Sequence, residues 1–183
     1  MLKLGGFQYA TALDLNMGYY HVQLDPASST MCSIVTPWGK YEYVRLPMGL
    51  ANSPDIFQEN MTTLFRDLEY VRAYIDDLLI ISKGDWKDHL EKIEKVLQKL
   101  TAAGLKVNAN KSTFGTTELE YLGFWITREG IAPLKSKVET ILNIELPRTK
   151  KQLRRFNGLV NYYHDLWFKR SEVLVDRTGT ESF

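Results

Sequence analysis

Tyr74-Ile75-Asp76-Asp77, preceded by Val71 and followed by the apolar run Leu78-Leu79-Ile80-Ile81, sets two adjacent carboxylates at the tip of what reads as a β-hairpin. Two unit negative charges about 4 Å apart repel by roughly 4 kcal/mol at an effective dielectric near 20. A semi-buried carboxylate pair therefore calls for a cation, and a divalent metal is the natural candidate. Taken alone, Asp-Asp in a turn also reads as a solvated turn, because Asp is a common turn residue.

Working outward, Tyr9 to Leu15 alternates small, β-branched and apolar residues and carries Asp14 near its end, as a strand would. Asp14 and Asp76 then sit at the ends of strands expected to be neighbours in one sheet. Phosphoryl-transfer sites with two metals need such convergent carboxylates, holding ions roughly 3.5–4 Å apart. Asp14 and Asp76 are expected as the shared ligands. Asp77 is expected to be a weaker or indirect one, since neighbours along a strand face apart.

Between these carboxylates, about Met31 to Arg45 reads as two strands broken at Pro37-Trp38-Gly39-Lys40. Asn52-Ser53-Pro54 then opens a helix whose apolar residues Ile56, Phe57, Met61, Leu64, Phe65 and Leu68 run to about Glu69. After the acidic hairpin, Asp85 caps a second helix with Trp86, Leu90, Ile93, Val96, Leu97 and Leu100 as its apolar face and Gly104 as its stop. Tyr121 to Thr127 with Ile131 forms a short hairpin turning at Arg128-Glu129-Gly130. The pattern predicts an α+β fold: an antiparallel sheet backed by two helices.

Pro133 marks a change of character. Ser136 to about Ile144 reads as a short helix, Pro147 breaks it, and Thr149 with Gln152 makes a capping box for a helix through His164. The formal charge of +1 hides an asymmetry: residues 135–170 carry nine Lys/Arg against three Asp/Glu, while residues 1–134 carry thirteen against sixteen. Only the later segment offers an electrostatic footprint for a polyanion. One domain or a domain with an appendage fits 183 residues with 44% apolar side chains. The expected division is 1–132, a helical lobe at 133–175 and a polar tail at 176–183. Cys32, the single cysteine, excludes an intrachain disulfide framework and a cysteine-cluster zinc site, and suits a reducing compartment. No stretch approaches the roughly eighteen continuous apolar residues of a membrane span, and no signal peptide opens the chain; a soluble, intracellular protein without a membrane partner is expected.

Three stretches in order, Thr11-Ala12-Leu13-Asp14-Leu15-Asn16-Met17-Gly18-Tyr19-Tyr20, then Leu46-Pro47-Met48-Gly49-Leu50-Ala51-Asn52-Ser53-Pro54-Asp55-Ile56-Phe57-Gln58, then Tyr74-Ile75-Asp76-Asp77, resemble successive motifs of the reverse transcriptases. Gly104-Leu105-Lys106-Val107-Asn108 with Lys111, and Tyr121-Leu122-Gly123-Phe124, are similar to the next two. Leu153-Arg154-Arg155-Phe156 with Gly158-Leu159-Val160-Asn161-Tyr162-Tyr163 resembles a thumb signature. The resemblance runs from about Phe7 to Leu174 and is nearest to the polymerases of long-terminal-repeat retrotransposons of the Gypsy/Ty3 kind.

It implies a polymerase palm over 1–132, with a partial fingers segment at about 22–52, and a small thumb- or connection-like lobe. It implies catalytic metal ligands at Asp14, Asp76 and Asp77, two Mg²⁺ ions with Mn²⁺ as the substitute, and template-primer and deoxynucleoside triphosphate as partners. Tyr19 would exclude a 2′-hydroxyl sterically; on the residues alone the preferred reading is a core aromatic beside Gly18, and Tyr20 is the more core-like of the two. Met48 and Gly49 would pack against nucleotide and template base, and Tyr74 and Gln58 would lie at the substrate; the same stretch is also an ordinary loop leading into a helix, with Gln58 facing substrate or solvent. Lys111 would sit near the leaving pyrophosphate, or is a solvated loop lysine. Tyr121, Leu122 and Gly123 would seat the primer end, or merely pack. Lys150, Lys151, Arg154 and Arg155 would meet duplex phosphates, or form a solvated helix face.

Asn157 and His164 depart from the thumb pattern, Asn157 by placing a polar group toward a helix interface. The basic upstream fingers that grasp the triphosphate are not in this stretch, so the chain is expected to be a fragment of a retrotransposon polyprotein, acting in a cytoplasmic particle or the nucleus. The competing readings are a non-enzymatic remnant that binds nucleic acid, and another palm-type nucleotidyl transferase such as a cyclase or a DNA-templated polymerase.

Overall fold

The computed structural model describes residues 6–163 and Leu166. Along these residues run β1 (Tyr9–Asn16), a 3-10 turn (Gly18–His21), α1 (Pro26–Met31), β2 (Ser33–Thr36), β3 (Gly39–Glu42), α2 (Ser53–Leu64), β4 (Val71–Tyr74), β5 (Asp77–Ser82), α3 (Trp86–Ala102), β6 (Lys106–Thr116), β7 (Glu118–Tyr121), β8 (Phe124–Thr127), β9 (Gly130–Pro133), α4 (Lys135–Leu142) and α5 (Lys150–Asn161). The tail expected over 176–183, and His164, lie outside the described residues.

The central sheet has four strands in the order β4-β5-β1-β6, every pairing antiparallel. The period of two along a strand sends alternate residues to opposite faces. Leu13, Leu15, Leu78 and Ile80 meet Phe57, Met61 and Phe65 of α2 and Ile93, Val96 and Leu100 of α3. The other face carries Ala10 and Leu79, which pack with Leu119, Tyr121 and Ile126 of the β7-β8-β9 meander. Helices, sheet and meander thus form three layers, and the two helices back the sheet as expected.

Local chemistry sets most of the helix starts. The Asp25 carboxylate accepts from the Ala27 and Ser28 amides ahead of Pro26, Asp85 accepts from the Asp88 amide, and Thr149 with Gln152 completes a capping box. Asn52, expected to cap α2, makes no side-chain capping bond. Instead Ser53 Oγ donates to the Pro47 carbonyl at 2.7 Å, tying the preceding loop down. α2 ends at Leu64 rather than near Glu69, α4 covers 135–142 rather than 136–144, and α5 stops at Asn161 rather than His164.

Two expectations about the core need correcting. Trp86, Leu90 and Leu97 of α3 are 38–46% exposed, and the buried stripe is His89, Ile93, Val96 and Leu100. His89 is fully buried because both ring nitrogens are satisfied, Nε2 by Thr11 Oγ1 and Nδ1 by Ser82 Oγ, each at 2.8 Å. Tyr20, expected in the core, is 37% exposed. The segment around Lys111, read as a loop, is the eleven-residue strand β6. Its pairing with β1 shifts register between Ala12↔Thr113 and Asp14↔Asn108, so the bulge that contains Lys111 lies beside Asp14.

Candidate active site

Three carboxylates gather where β1 meets the β4-β5 turn. The register pairs Asp14 directly with Asp77, and the Leu15 amide donates to the Asp76 carbonyl at 2.8 Å. Asp77 is therefore the cross-strand partner of Asp14. Burial, then the Asp14 charge, then Asp77 hold the Asp76 carboxyl above the usual carboxylate range. Burial followed by Asp14 does the same to Asp77.

Asp76 Oδ1 is buried without a hydrogen-bond partner. An orphaned carboxylate oxygen beside two like charges suits a hard divalent cation, whose ligands are oxygens. Among the described residues no three Asp, Glu, His or Cys side chains already enclose a cation-sized space. Mg²⁺ is commonly held by one or two carboxylates together with water and substrate phosphates rather than by an all-protein cage, so the donor set fits that ion.

The floor of the site is Gly18. A Cβ built there would overlap Asp76 Oδ1 and lie 2.6 Å from the Phe57 ring, so a side chain at this place would require the carboxylate and the ring to move. The next residue, Tyr19, tilts against Phe57 with ring centroids 5.3 Å apart. Burial, then Asp76, then Tyr74 raise its phenol pKa, which puts the ring in the field of the acidic hairpin. Tyr74 pairs with Asp77 at the end of β4 and is exposed.

Two side chains, from opposite layers, hold the hairpin by its backbone. From α2, Gln58 Oε1 accepts the Ile75 amide at 2.7 Å and Nε2 donates to the Ala73 carbonyl at 3.1 Å. From the meander, Tyr121 Oη donates toward the carbonyls of Asp77 and Arg72 at 3.3 and 3.4 Å. Tyr121 is buried, and burial drives its phenol pKa far above normal, so it stays a neutral donor. The ring is core, and its hydroxyl props the acidic hairpin. Neither support was legible in advance, since nothing in a single sequence reports which backbone a glutamine amide or a phenol will meet.

Leu122 and Gly123 form the tight turn between β7 and β8, both at positive φ. Tyr162 and Tyr163 Oη, just past α5, donate to the Leu122 and Gly123 carbonyls, and Phe124 stacks on Tyr162 with centroids 5.3 Å apart. The turn is thus locked to the end of α5. Met48 and Gly49, the latter at φ +97°, lie in an exposed turn ahead of α2. Lys150, Lys151, Arg154 and Arg155 are exposed on α5, in its first turns, where the helix dipole disfavours positive charge. Asn157 Oδ1 is buried without a partner, as its departure from the thumb pattern predicts.

The family model described as "Reverse transcriptase (RNA-dependent DNA polymerase)" matches residues 1–126. The Retrovirus-related Pol polyprotein from transposon 297 of Drosophila melanogaster is 37% identical over 163 residues, covering 88% of this chain and 15% of that one. Among solved structures, the foamy viral protease-reverse transcriptase dRH in complex with double-stranded DNA superposes with a TM-score of 0.84 at 29% identity, over 93% of this chain and 30% of that one. The foamy viral protease-reverse transcriptase in complex with RNA/DNA hybrid gives a TM-score of 0.81 at 28% identity, over 96% and 25%. The chain thus spans a small part of its relatives' length.

Proposed function

The chain belongs to the reverse transcriptase family, by the match over residues 1–126, and from that premise we propose that it is the palm and partial thumb of an RNA-directed DNA polymerase of a Gypsy/Ty3-type retrotransposon polyprotein. The fold is that of a polymerase palm. In this reading the palm covers 1–132, with a fingers segment at about 22–52, and the lobe from 133 is thumb-like. Its substrates are a template-primer and a deoxynucleoside triphosphate. The observation that carries the proposal is the coupling of Asp76 and Asp77 to Asp14, with one Asp76 oxygen buried and unpartnered.

Asp14, Asp76 and Asp77 would hold two Mg²⁺ ions, or Mn²⁺ in their place, which when bound supply positive charge to the attacking and departing oxygens. The primer 3′-hydroxyl attacks the α-phosphorus, a new P–O bond forms, the α–β bridging P–O bond breaks, and pyrophosphate departs while the hydroxyl proton passes to solvent. The chain's own contribution is placement. Tyr19, braced on Phe57, walls the sugar side and disfavours a 2′-hydroxyl. The Met48-Gly49 turn and Tyr74 border the substrate. Lys111, in the bulge next to Asp14, offers a cation to the departing pyrophosphate. The Leu122-Gly123 turn seats the primer end, and Lys150, Lys151, Arg154 and Arg155 meet duplex phosphates. The DNA and RNA/DNA complexes of the foamy viral relatives support a nucleic-acid partner.

Primer extension with labelled deoxynucleotide on an RNA template, with and without Mg²⁺, tests this reading. Metal-dependent incorporation that disappears in Asp76→Asn is expected. Incorporation undiminished in that variant contradicts it.

A further inference from the structure

The turn that presents Asp76 is built against the grain of its sequence. Ile75 sits at φ +53°, in the left-handed region that a β-branched side chain occupies only under constraint. Such strain persists where surrounding contacts over-determine it. Here the constraint is Gln58, on a different element and seventeen residues earlier. Its Oε1 accepts the Ile75 amide at 2.7 Å, and its Nε2 donates to the Ala73 carbonyl at 3.1 Å. Thr62 fixes the amide in turn: its hydroxyl donates to the Gln58 carbonyl at 2.8 Å and receives Gln58 Nε2 at 3.2 Å. The orientation is unambiguous, since flipping the amide would set Nε2 against the Ile75 N–H and Oε1 against the Ala73 carbonyl.

On the other side, the Leu15 amide donates to the Asp76 carbonyl. The backbone on both sides of the Asp76 side chain is therefore pinned, by α2 at Ile75 and by β1 at Asp76 itself. With its amide spent on the hairpin, Gln58 is fitted for placing Asp76 and not for holding a nucleotide.

We propose that Gln58 is a positioning residue which keeps Ile75 in its strained turn and so aims Asp76 at Asp14 for shared cation binding. This rests on the polymerase reading of the acidic site, but it concerns cation affinity before any nucleotide is present.

The test is Mn²⁺ affinity of the nucleotide-free chain, followed by the electron paramagnetic resonance of free Mn²⁺, together with hydrogen exchange of the Ile75 amide. Gln58→Met keeps length and helix preference and removes both bonds. It is expected to bind Mn²⁺ about tenfold more weakly and to expose the Ile75 amide to faster exchange, the loss of roughly one hydrogen bond's net worth. Ile75→Gly removes the strain, so the Gln58→Met loss should shrink in that background, a coupling that a role in folding alone does not produce. Parent-like Mn²⁺ binding by Gln58→Met, or an equal loss in both backgrounds, overturns the inference alone. A parent chain that binds Mn²⁺ no better than Asp76→Asn overturns the polymerase reading and the inference with it.

Discussion

Asp14 and Asp77 face each other in register across the β1–β5 ladder, two carboxylates directly opposed at the rim of a sheet. Like charges so placed destabilise a sheet, and Asp76 adds a third. A substitution that removes one of them should therefore trade function for stability.

Asp77→Asn is expected to raise the metal-free melting temperature at pH 7, by the equivalent of about 0.2–1 kcal/mol for one relieved cross-strand pair. The sign follows from linkage. The folded Asp77 carboxyl keeps its proton above the ordinary carboxylate range, so between the unfolded and folded values the native chain binds more protons. That contribution is full below the unfolded value of about 3.9 and is lost as pH rises through the folded one. Calorimetric scans of parent and variant should accordingly diverge as pH rises from 4 to 7. A variant that melts lower than the parent at pH 7 would count against the charge-strain argument.

Gly18→Ala places a methyl group against Asp76 Oδ1 and the Phe57 ring. Overpacking of this kind costs about 1–3 kcal/mol, and here the displaced group is the carboxylate itself. Lower thermal stability with weakened Mn²⁺ binding is expected. Unchanged binding would show that Asp76 does not need the floor that Gly18 leaves open.

His89 gives a second, independent pH dependence. Burial, with Lys92 adding to it and Asp88 opposing, lowers its pKa below the ordinary value. The imidazole is neutral in the fold, so its contribution is fully present above the unfolded pKa of about 6.5 and is lost as pH falls from there toward the folded value. His89→Gln should cost about 1–3 kcal/mol at pH 8 through a disturbed buried network with Thr11 and Ser82, yet show a flatter stability profile below pH 6.5. Denaturant melts at pH 5.5 and 8 measure both, and a variant as acid-sensitive as the parent refutes the assignment.

How much of this could be read in the chain divides along the range of the interactions. Asp85 and Thr149-Gln152 act within one turn, and both were legible as caps. The acidic hairpin was legible because apolar runs flank a turn, and Asp14 because a strand leads to it. β6 was not, since its alternation is limited to Val107 and Ala109 before the polar run Asn110-Lys111-Ser112-Thr113, and it becomes a strand by pairing with β1. The buried face of α3 is hidden in the sequence for a related reason. Histidine reads as a polar surface residue until Thr11 and Ser82, distant in sequence, satisfy it. Gln58 and Tyr121 were visible as residues, but their partners are backbone atoms of another element.

The basic residues of α5 make a prediction about nucleic acid. Each Lys or Arg that contacts duplex phosphate contributes about 0.9 to the slope of log affinity against log salt. Arg154→Gln with Arg155→Gln should therefore lower the magnitude of that slope by up to about 1.8, alike for all duplex sequences. Fluorescence anisotropy between 50 and 200 mM salt measures it, and an unchanged slope would leave these residues as a solvated face.

Mn²⁺ affinity of Asp14→Asn, Asp76→Asn and the double variant, compared with the parent, most directly tests whether these two carboxylates share a cation. Each single change is expected to weaken binding roughly tenfold or more, with the double variant little worse than either, because groups that act on one ion are not additive. Undiminished binding in Asp14→Asn, or losses that simply add, would show that the two side chains do not meet at a common ion.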